Sequence, residues 1–307
     1  MSTLRLEGTY TALVTPMNDD AERSIDMPAL ERLVDRQIAA GIDGLVACGT
    51  TGEASALFED EFAVVVGTAV RRSAGRVPVL AGTGSNHTAK TIAMSKRAQA
   101  LGVDGVLVVT PYYVKPTQDG LLAHYRAVAD AVTVPVVLYN VPGRTACNLL
   151  PATVAELAKH PNIIAVKEAS GSLDQVQEIL CLLRKVKRPE GRPFTVLAGD
   201  DALCLPMYSV GGHGVISVVS NVAPVQTAAL YRDYRAGRLA EAADGQLALH
   251  PLIKTLFAEP NPQPCKMALH LLGVMEPVAR LPLMTAQTST SAQLRRELAT
   301  LGLLPAG

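Results

Sequence analysis

Val137-Leu-Tyr-Asn-Val-Pro-Gly-Arg144 and, one repeat further on, Ile163-Ile-Ala-Val-Lys-Glu-Ala-Ser170 decide the fold. Each begins as a short apolar run without strict polar alternation, as parallel strands do when both faces are covered. Each run then stops on polar residues, one on a tyrosine and the other on a lysine. Similar runs occur throughout the chain, and strands are expected at 8–14, 44–48, 77–81, 105–109, 135–139, 163–167, 195–199 and 214–218.

Helix signals lie between the runs. Asp26-Met-Pro28 offers a cap and an early proline, Leu30, Leu33, Val34 and Ile38 repeat at helical spacing, and Gly41 follows as a stop. Ala98, Leu101 and Gly102 close another helix in the same way. Eight strands, each followed by a helix, give an α/β protein with the count of a (β/α)8 TIM barrel. An open doubly wound sheet shares the pattern, but eight repeats favour closure. Beyond about residue 236 the strand signals cease, and helices are expected at 239–258, 265–272 and 291–301. The expected organisation is a catalytic barrel over 1–235, with residues 236–307 as a small C-terminal helical appendage packed on it.

The composition narrows the function. The chain has 307 residues, 49% of them hydrophobic, enough for a full core. Its 28 basic and 28 acidic residues balance without a basic cluster, so neither nucleic acid nor an anionic membrane is an expected partner. No apolar run reaches membrane-spanning length. Cys48, Cys147, Cys181, Cys204 and Cys265 are dispersed and odd in number, which reads as reduced thiols of a cytoplasmic protein. The six histidines show no ligand spacing, so no metal is expected.

Chemistry on such a barrel gathers at the carboxyl ends of strands. There the chain offers Gly49-Thr-Thr-Gly-Glu53, Thr110-Pro-Tyr-Tyr113, Tyr139, Asn140, Arg144, Lys167, Gly199-Asp-Asp201 and Ile216-Ser217. Lys167 is the sharpest of these. A lysine amine attacks a ketone only when neutral, and burial at a strand end disfavours its charged form. The Schiff base so formed acidifies the neighbouring carbon and yields an enamine nucleophile. A lysine paired with Glu168 or snorkelling to the rim is the alternative.

Tyr139 is placed to move protons through a hydroxyl such as that of Thr51, or simply to cap the barrel. Tyr112 and Tyr113 would point to opposite sides of an extended segment, and either could simply be packing at an interface. The Gly49–Gly52 loop suits a carboxylate better than a diphosphate, because no P-loop lysine follows. Asp200 and Asp201 read as a helix cap before a metal pair. Arg144 could clamp a carboxylate bidentately, or be a surface arginine in a turn.

Those segments, together with Val166-Lys-Glu-Ala169, Gly214-Val-Ile-Ser217 and Glu259-Pro-Asn-Pro262, occur in the order found in the dihydrodipicolinate synthase and N-acetylneuraminate lyase family, which the chain resembles over essentially its whole length. The resemblance implies condensation of pyruvate with L-aspartate 4-semialdehyde on the diaminopimelate route to lysine, with no metal or organic cofactor. It implies that Lys167 forms the Schiff base and that Tyr139 donates protons through Thr51 to Tyr113, the last lent by a neighbouring subunit. Thr50, Thr51 and the backbone at Ile216 fall where pyruvate is held, Arg144 where the semialdehyde carboxylate binds, and the Gly199 carbonyl near the incoming aldehyde. A homotetramer built as a dimer of dimers is implied as well.

Arg144 separates this branch from N-acetylneuraminate lyases, which usually lack it. Ala146 replaces a glycine common after Arg-Thr, a mild departure. A sibling aldolase acting on a sugar acid or hydroxy-oxo acid, and a catalytically silent metabolite-binding barrel, are the alternative functions. Lysine-inhibited members bind lysine at an interface lined by the counterparts of Asn86 and Tyr112, with an acidic residue where this chain has Lys90. Glu59 and Phe62 stand where some of them carry histidines. Weak or absent feedback by L-lysine is therefore expected, since a lysine repels a cationic ligand.

Overall fold

The computed structural model describes Leu4, residues 6–188 and residues 193–305. Its eight strands are β1 (Gly8–Ala12), β2 (Gly44–Ala47), β3 (Val79–Gly82), β4 (Gly105–Val109), β5 (Val136–Asn140), β6 (Ile163–Glu168), β7 (Thr195–Ala198) and β8 (Gly214–Ser217). They follow one another in sequence order around a closed barrel, the (β/α)8 architecture expected from the repeats. Almost every strand residue is buried, as the unbroken apolar runs require.

The strand limits moved for physical reasons. β2 stops before Cys48, whose φ of +52° leaves the extended region. β5 and β6 each run one residue further than expected, because Asn140 pairs in register with Glu168 and the two side chains bond to each other. In the first helix, Met27–Ala39, Asp26 Oδ1 accepts from the Ala29 N–H at 2.9 Å, and Leu30, Leu33 and Val34 are buried. Gly41, at φ +78°, follows as the stop.

After Ser217 the described residues hold no strand. Helix Pro224–Arg235 follows the last strand, and beyond it come Leu239–Leu256, Gln263–Leu271 and Thr288–Thr300. Gln263–Leu271 begins inside the proline-rich segment Glu259-Pro-Asn-Pro-Gln-Pro264 because Pro264 sits in its first turn, where a missing N–H costs nothing. Among the described residues no helix is long and apolar enough to cross a membrane.

The chain forms two compact units. One comprises residues up to Gly8 and 78–216, and the other residues 9–77 and 217 onward.

Candidate active site

In the unit spanning 78–216, Tyr139 of β5 stands in register with Lys167 of β6. Nζ of Lys167 lies 4.4 Å from the centroid of the Tyr139 ring. Both side chains are buried, at 5% and 7% exposure. Among the described residues no carboxylate lies within ion-pairing distance of Lys167. The amine therefore has a tyrosine as its neighbour rather than a counter-ion, an arrangement that suits a nucleophile better than a structural ion pair.

Glu168, the alternative partner for Lys167, is engaged elsewhere. Successive strand residues face opposite ways. Its Oε1 accepts from the Ser170 N–H at 2.7 Å, and its Oε2 from Asn140 Nδ2 at 3.0 Å and Gln175 Nε2 at 3.2 Å. Asn140 Nδ2 also donates to Asn148 Oδ1 at 2.8 Å, and its Oδ1 accepts from the Leu149 N–H at 2.9 Å. A buried carboxylate is thus satisfied by neutral donors. The residues immediately after Tyr139 and Lys167 are tied together, which fixes the two strand ends that carry the candidate chemistry. Asn140 belongs to the site in this supporting sense, a role the sequence analysis did not give it.

Gly199 follows β7 and donates its N–H to Glu168 O at 2.8 Å. A Cβ at Gly199 would stand 3.0 Å from Lys167 Cε and 2.7 Å from Ala169 Cβ, so only glycine leaves room for the lysine stem. Ile216 lies fully buried in β8. Asp200 caps the short turn Asp201–Leu203, its Oδ1 accepting from the Ala202 N–H at 2.9 Å, the capping role expected of it.

Arg144 lies exposed on the short helix Pro142–Thr145, whose N–H groups close back on Val141 and Pro142. Thr110 Oγ1 donates to Thr145 Oγ1 at 3.1 Å, and the Tyr113 N–H donates to Thr145 O at 3.4 Å. The arginine loop and the Tyr113 loop are therefore one bonded structure. The expectation of alternating tyrosines fails here. Tyr112 and Tyr113 are both exposed, at 39% and 86%, because the segment is not a strand and Tyr113 takes φ +74°. A bulky side chain in that region costs about 1–3 kcal/mol and is characteristic of functional loops.

The other unit carries the hydroxyl loop. After β2 the chain turns tightly, with Gly52 N–H donating to Gly49 O at 3.0 Å and Glu53 N–H to Thr50 O at 3.1 Å. Gly52 packs so closely that a Cβ would meet Cys48 N and Leu13 O at 3.1 Å. Thr50 is exposed and Thr51 buried. Thr51 Oγ1 accepts from Asn261 Nδ2 at 2.9 Å.

Glu53, at the end of the loop, pairs with Lys266 in a bridge that leaves both side chains almost without exposure. Its Oε2 also accepts from the Arg280 N–H at 3.2 Å, while Lys266 Nζ donates to Val278 O at 2.8 Å. Burial pushes the Lys266 amine below its ordinary value, and Glu53 opposes that shift. Arg280 grips Glu61 through both terminal guanidinium nitrogens, Nη1 at 2.6 Å and Nη2 at 2.5 Å, and its Nη1 also donates to Ala56 O at 2.9 Å. Lys266, Arg280 and Glu61 were not legible as site-supporting residues, because their partners are remote in sequence.

Hydrogen bonding to Arg280 holds the Glu61 carboxyl below its ordinary value. A depressed carboxyl stabilises the fold above the ordinary carboxylate range, and that contribution is lost as pH falls through the folded-state value. Glu61→Gln is accordingly expected to melt below wild type at neutral pH, and the gap should close in acid below the Glu61 range. A gap that stays constant across that range would contradict the assignment.

Residues 5–301 match the dihydrodipicolinate synthetase family. The 4-hydroxy-tetrahydrodipicolinate synthase of Sorangium cellulosum is 50% identical over 295 residues, covering 96% of this chain and 95% of that protein. The solved dihydrodipicolinate synthase of Thermotoga maritima matches with a TM-score of 0.93 at 42% identity, over 97% of this chain and 99% of that one. The chloride-inhibited dihydrodipicolinate synthase of Acinetobacter baumannii, solved with pyruvate, matches with a TM-score of 0.91 at 38% identity, over 98% and 100%. With a buried lysine beside a tyrosine on a closed eight-stranded barrel, the class defined is a lyase of the Schiff-base, class I aldolase type. The chain belongs to the dihydrodipicolinate synthetase family.

Proposed function

We propose that the protein condenses pyruvate with L-aspartate 4-semialdehyde to give 4-hydroxy-tetrahydrodipicolinate, in diaminopimelate and lysine biosynthesis in the cytoplasm. The observation that carries this is the buried Lys167 amine, 4.4 Å from the Tyr139 ring and without a carboxylate partner among the described residues. The Lys167 amine adds to the pyruvate ketone, and the carbinolamine loses water to give the Schiff base. Loss of a methyl proton leaves an enamine, whose carbon attacks the semialdehyde carbonyl. The substrate amine then displaces Lys167, closing the ring and freeing the lysine. Tyr139 passes protons in these steps, relayed by Thr51 and by Tyr113 of a neighbouring copy.

Thr50, Thr51 and the Ile216 backbone hold the pyruvate carboxylate, and the Gly199 carbonyl receives the aldehyde end. The active form is a homotetramer built as a dimer of dimers. In support of a shared site, Tyr113 stands 86% exposed on its own chain, in a strained turn. The C-terminal helical region, residues 236–307, is proposed as a small appendage packed on the catalytic barrel of residues 1–235. The test is turnover of pyruvate with aspartate semialdehyde, coupled to the next reductase and followed by loss of NADPH absorbance. Absence of turnover by pure folded protein would turn the assignment toward a sibling aldolase or a catalytically silent barrel.

Arg144 is assigned the semialdehyde carboxylate. Charge-assisted hydrogen bonds are worth about 1.5–3 kcal/mol each, so Arg144→Ala is expected to lower kcat/KM for the semialdehyde about 100-fold or more. Pyruvate adduct formation should change little. Equal losses with a sugar-acid substrate would remove Arg144 from this role.

Feedback by L-lysine is expected to be weak. Lys90 and Asn86 are both exposed, so a cationic effector at that surface meets the lysine's like charge. Inhibition at sub-millimolar lysine in the steady-state assay would contradict this.

A further inference from the structure

We infer that Asn261 is a positioning residue for the Thr51 hydroxyl, fixing the direction in which that hydroxyl gives its proton; the inference rests on the reaction proposed above. A hydroxyl has one proton and two acceptor lone pairs. Asn261 Nδ2 donates to Thr51 Oγ1 at 2.9 Å, and both residues are buried, at 5% and 3% exposure. One lone pair of Thr51 is thereby occupied by a donor. Its own O–H is left to point elsewhere, as a proton donor in the relay.

The opposite polarity, with the proton held by the amide oxygen, would silence it. Asn261 Oδ1 is itself buried and accepts no hydrogen bond from the described residues, so the amide spends its donor on Thr51 and leaves its acceptor idle. The loop that carries Thr51 is bonded at both ends. It is closed by the turn from Gly49 to Glu53 and anchored by Lys266 and Arg280 on Glu53. Asn261 lies between the helices Leu239–Leu256 and Gln263–Leu271, 210 residues from its partner in sequence. The C-terminal region thus supplies proton orientation as well as packing.

The test is a kinetic cycle on the full chain with Asn261→Ala, Thr51→Val, the double variant and Asn261→Asp. Asn261→Ala is expected to lower kcat about 10- to 100-fold, the scale of a misplaced reacting group. KM for pyruvate should stay within about twofold, the pattern of an interaction that matters in the transition state. In the Thr51→Val background the Asn261→Ala change should add no further loss, because its effect passes only through Thr51.

Asn261→Asp fills the same space but, ionised, only accepts, and so should lose at least as much kcat as Asn261→Ala. A purely structural asparagine would give the reverse order, and losses that multiply in the cycle would equally overturn the inference. If Asn261→Asp does not fold, the Ala cycle decides alone. Wild-type turnover with unaltered Asn261→Ala overturns this inference only, whereas no wild-type turnover overturns the reaction and the inference together.

Discussion

Lys167→Ala is expected to lose pyruvate-dependent turnover by about 10⁴-fold or more, equivalent to at least ~5.4 kcal/mol of transition-state stabilisation, while keeping its fold. No other buried amine stands beside Tyr139 among the described residues, and without an amine there is no route to the enamine. Lys167→Arg should be as inactive, since a guanidinium stays protonated and does not act as the nucleophile. The fold should tolerate Lys167→Ala comparatively well, because Lys167 has no carboxylate partner to strand among the described residues. Steady-state kinetics beside thermal melting separates the two effects. Residual activity within about tenfold of wild type would mean that the lysine is structural.

Lys266→Met is expected to do the opposite, with a large loss of stability. It would leave Glu53 buried and uncompensated, and breaking one side of such a pair costs about 3–5 kcal/mol. Replacing both charges removes the stranded carboxylate, so Glu53→Gln with Lys266→Met should recover most of that loss. Recovery is incomplete if the Arg280 N–H, which donates to Glu53 Oε2 at 3.2 Å, finds the amide a poorer acceptor. The melting temperatures of the single and double variants test this directly. A double variant that melts at or below Lys266→Met would contradict the account. Because Glu53 closes the loop that carries Thr51, the single variant should lose activity before it unfolds.

The residues that were legible share one property: they sit at the end of an apolar run. Lys167 and Tyr139 stand out because a strand buried on both faces has no reason to end on a titratable group unless it is used. The eight runs themselves were readable because parallel strands need neither polar alternation nor distant information to show. What was not readable lies between elements remote in sequence. Nothing local marks Lys266 as the partner of Glu53, or Asn261 as the donor to Thr51. The segment Glu259-Pro-Asn-Pro262 stood out as a proline-rich break between helices and through its resemblance to the family, not as a partner of Thr51.

Asn140 and Glu168 were visible as residues but not as a pair, since their bond depends on the register between β5 and β6. Tyr113 was expected to alternate with Tyr112. Its left-handed backbone could not be foreseen, because left-handed turns favour glycine or asparagine and this one carries a tyrosine.

The most direct test of the central claim is reduction of wild-type protein with borohydride in the presence of pyruvate, followed by peptide mass spectrometry. One reduced pyruvate per chain, located on Lys167 and absent without pyruvate, is the predicted result. No adduct, or an adduct on a different lysine, would contradict it.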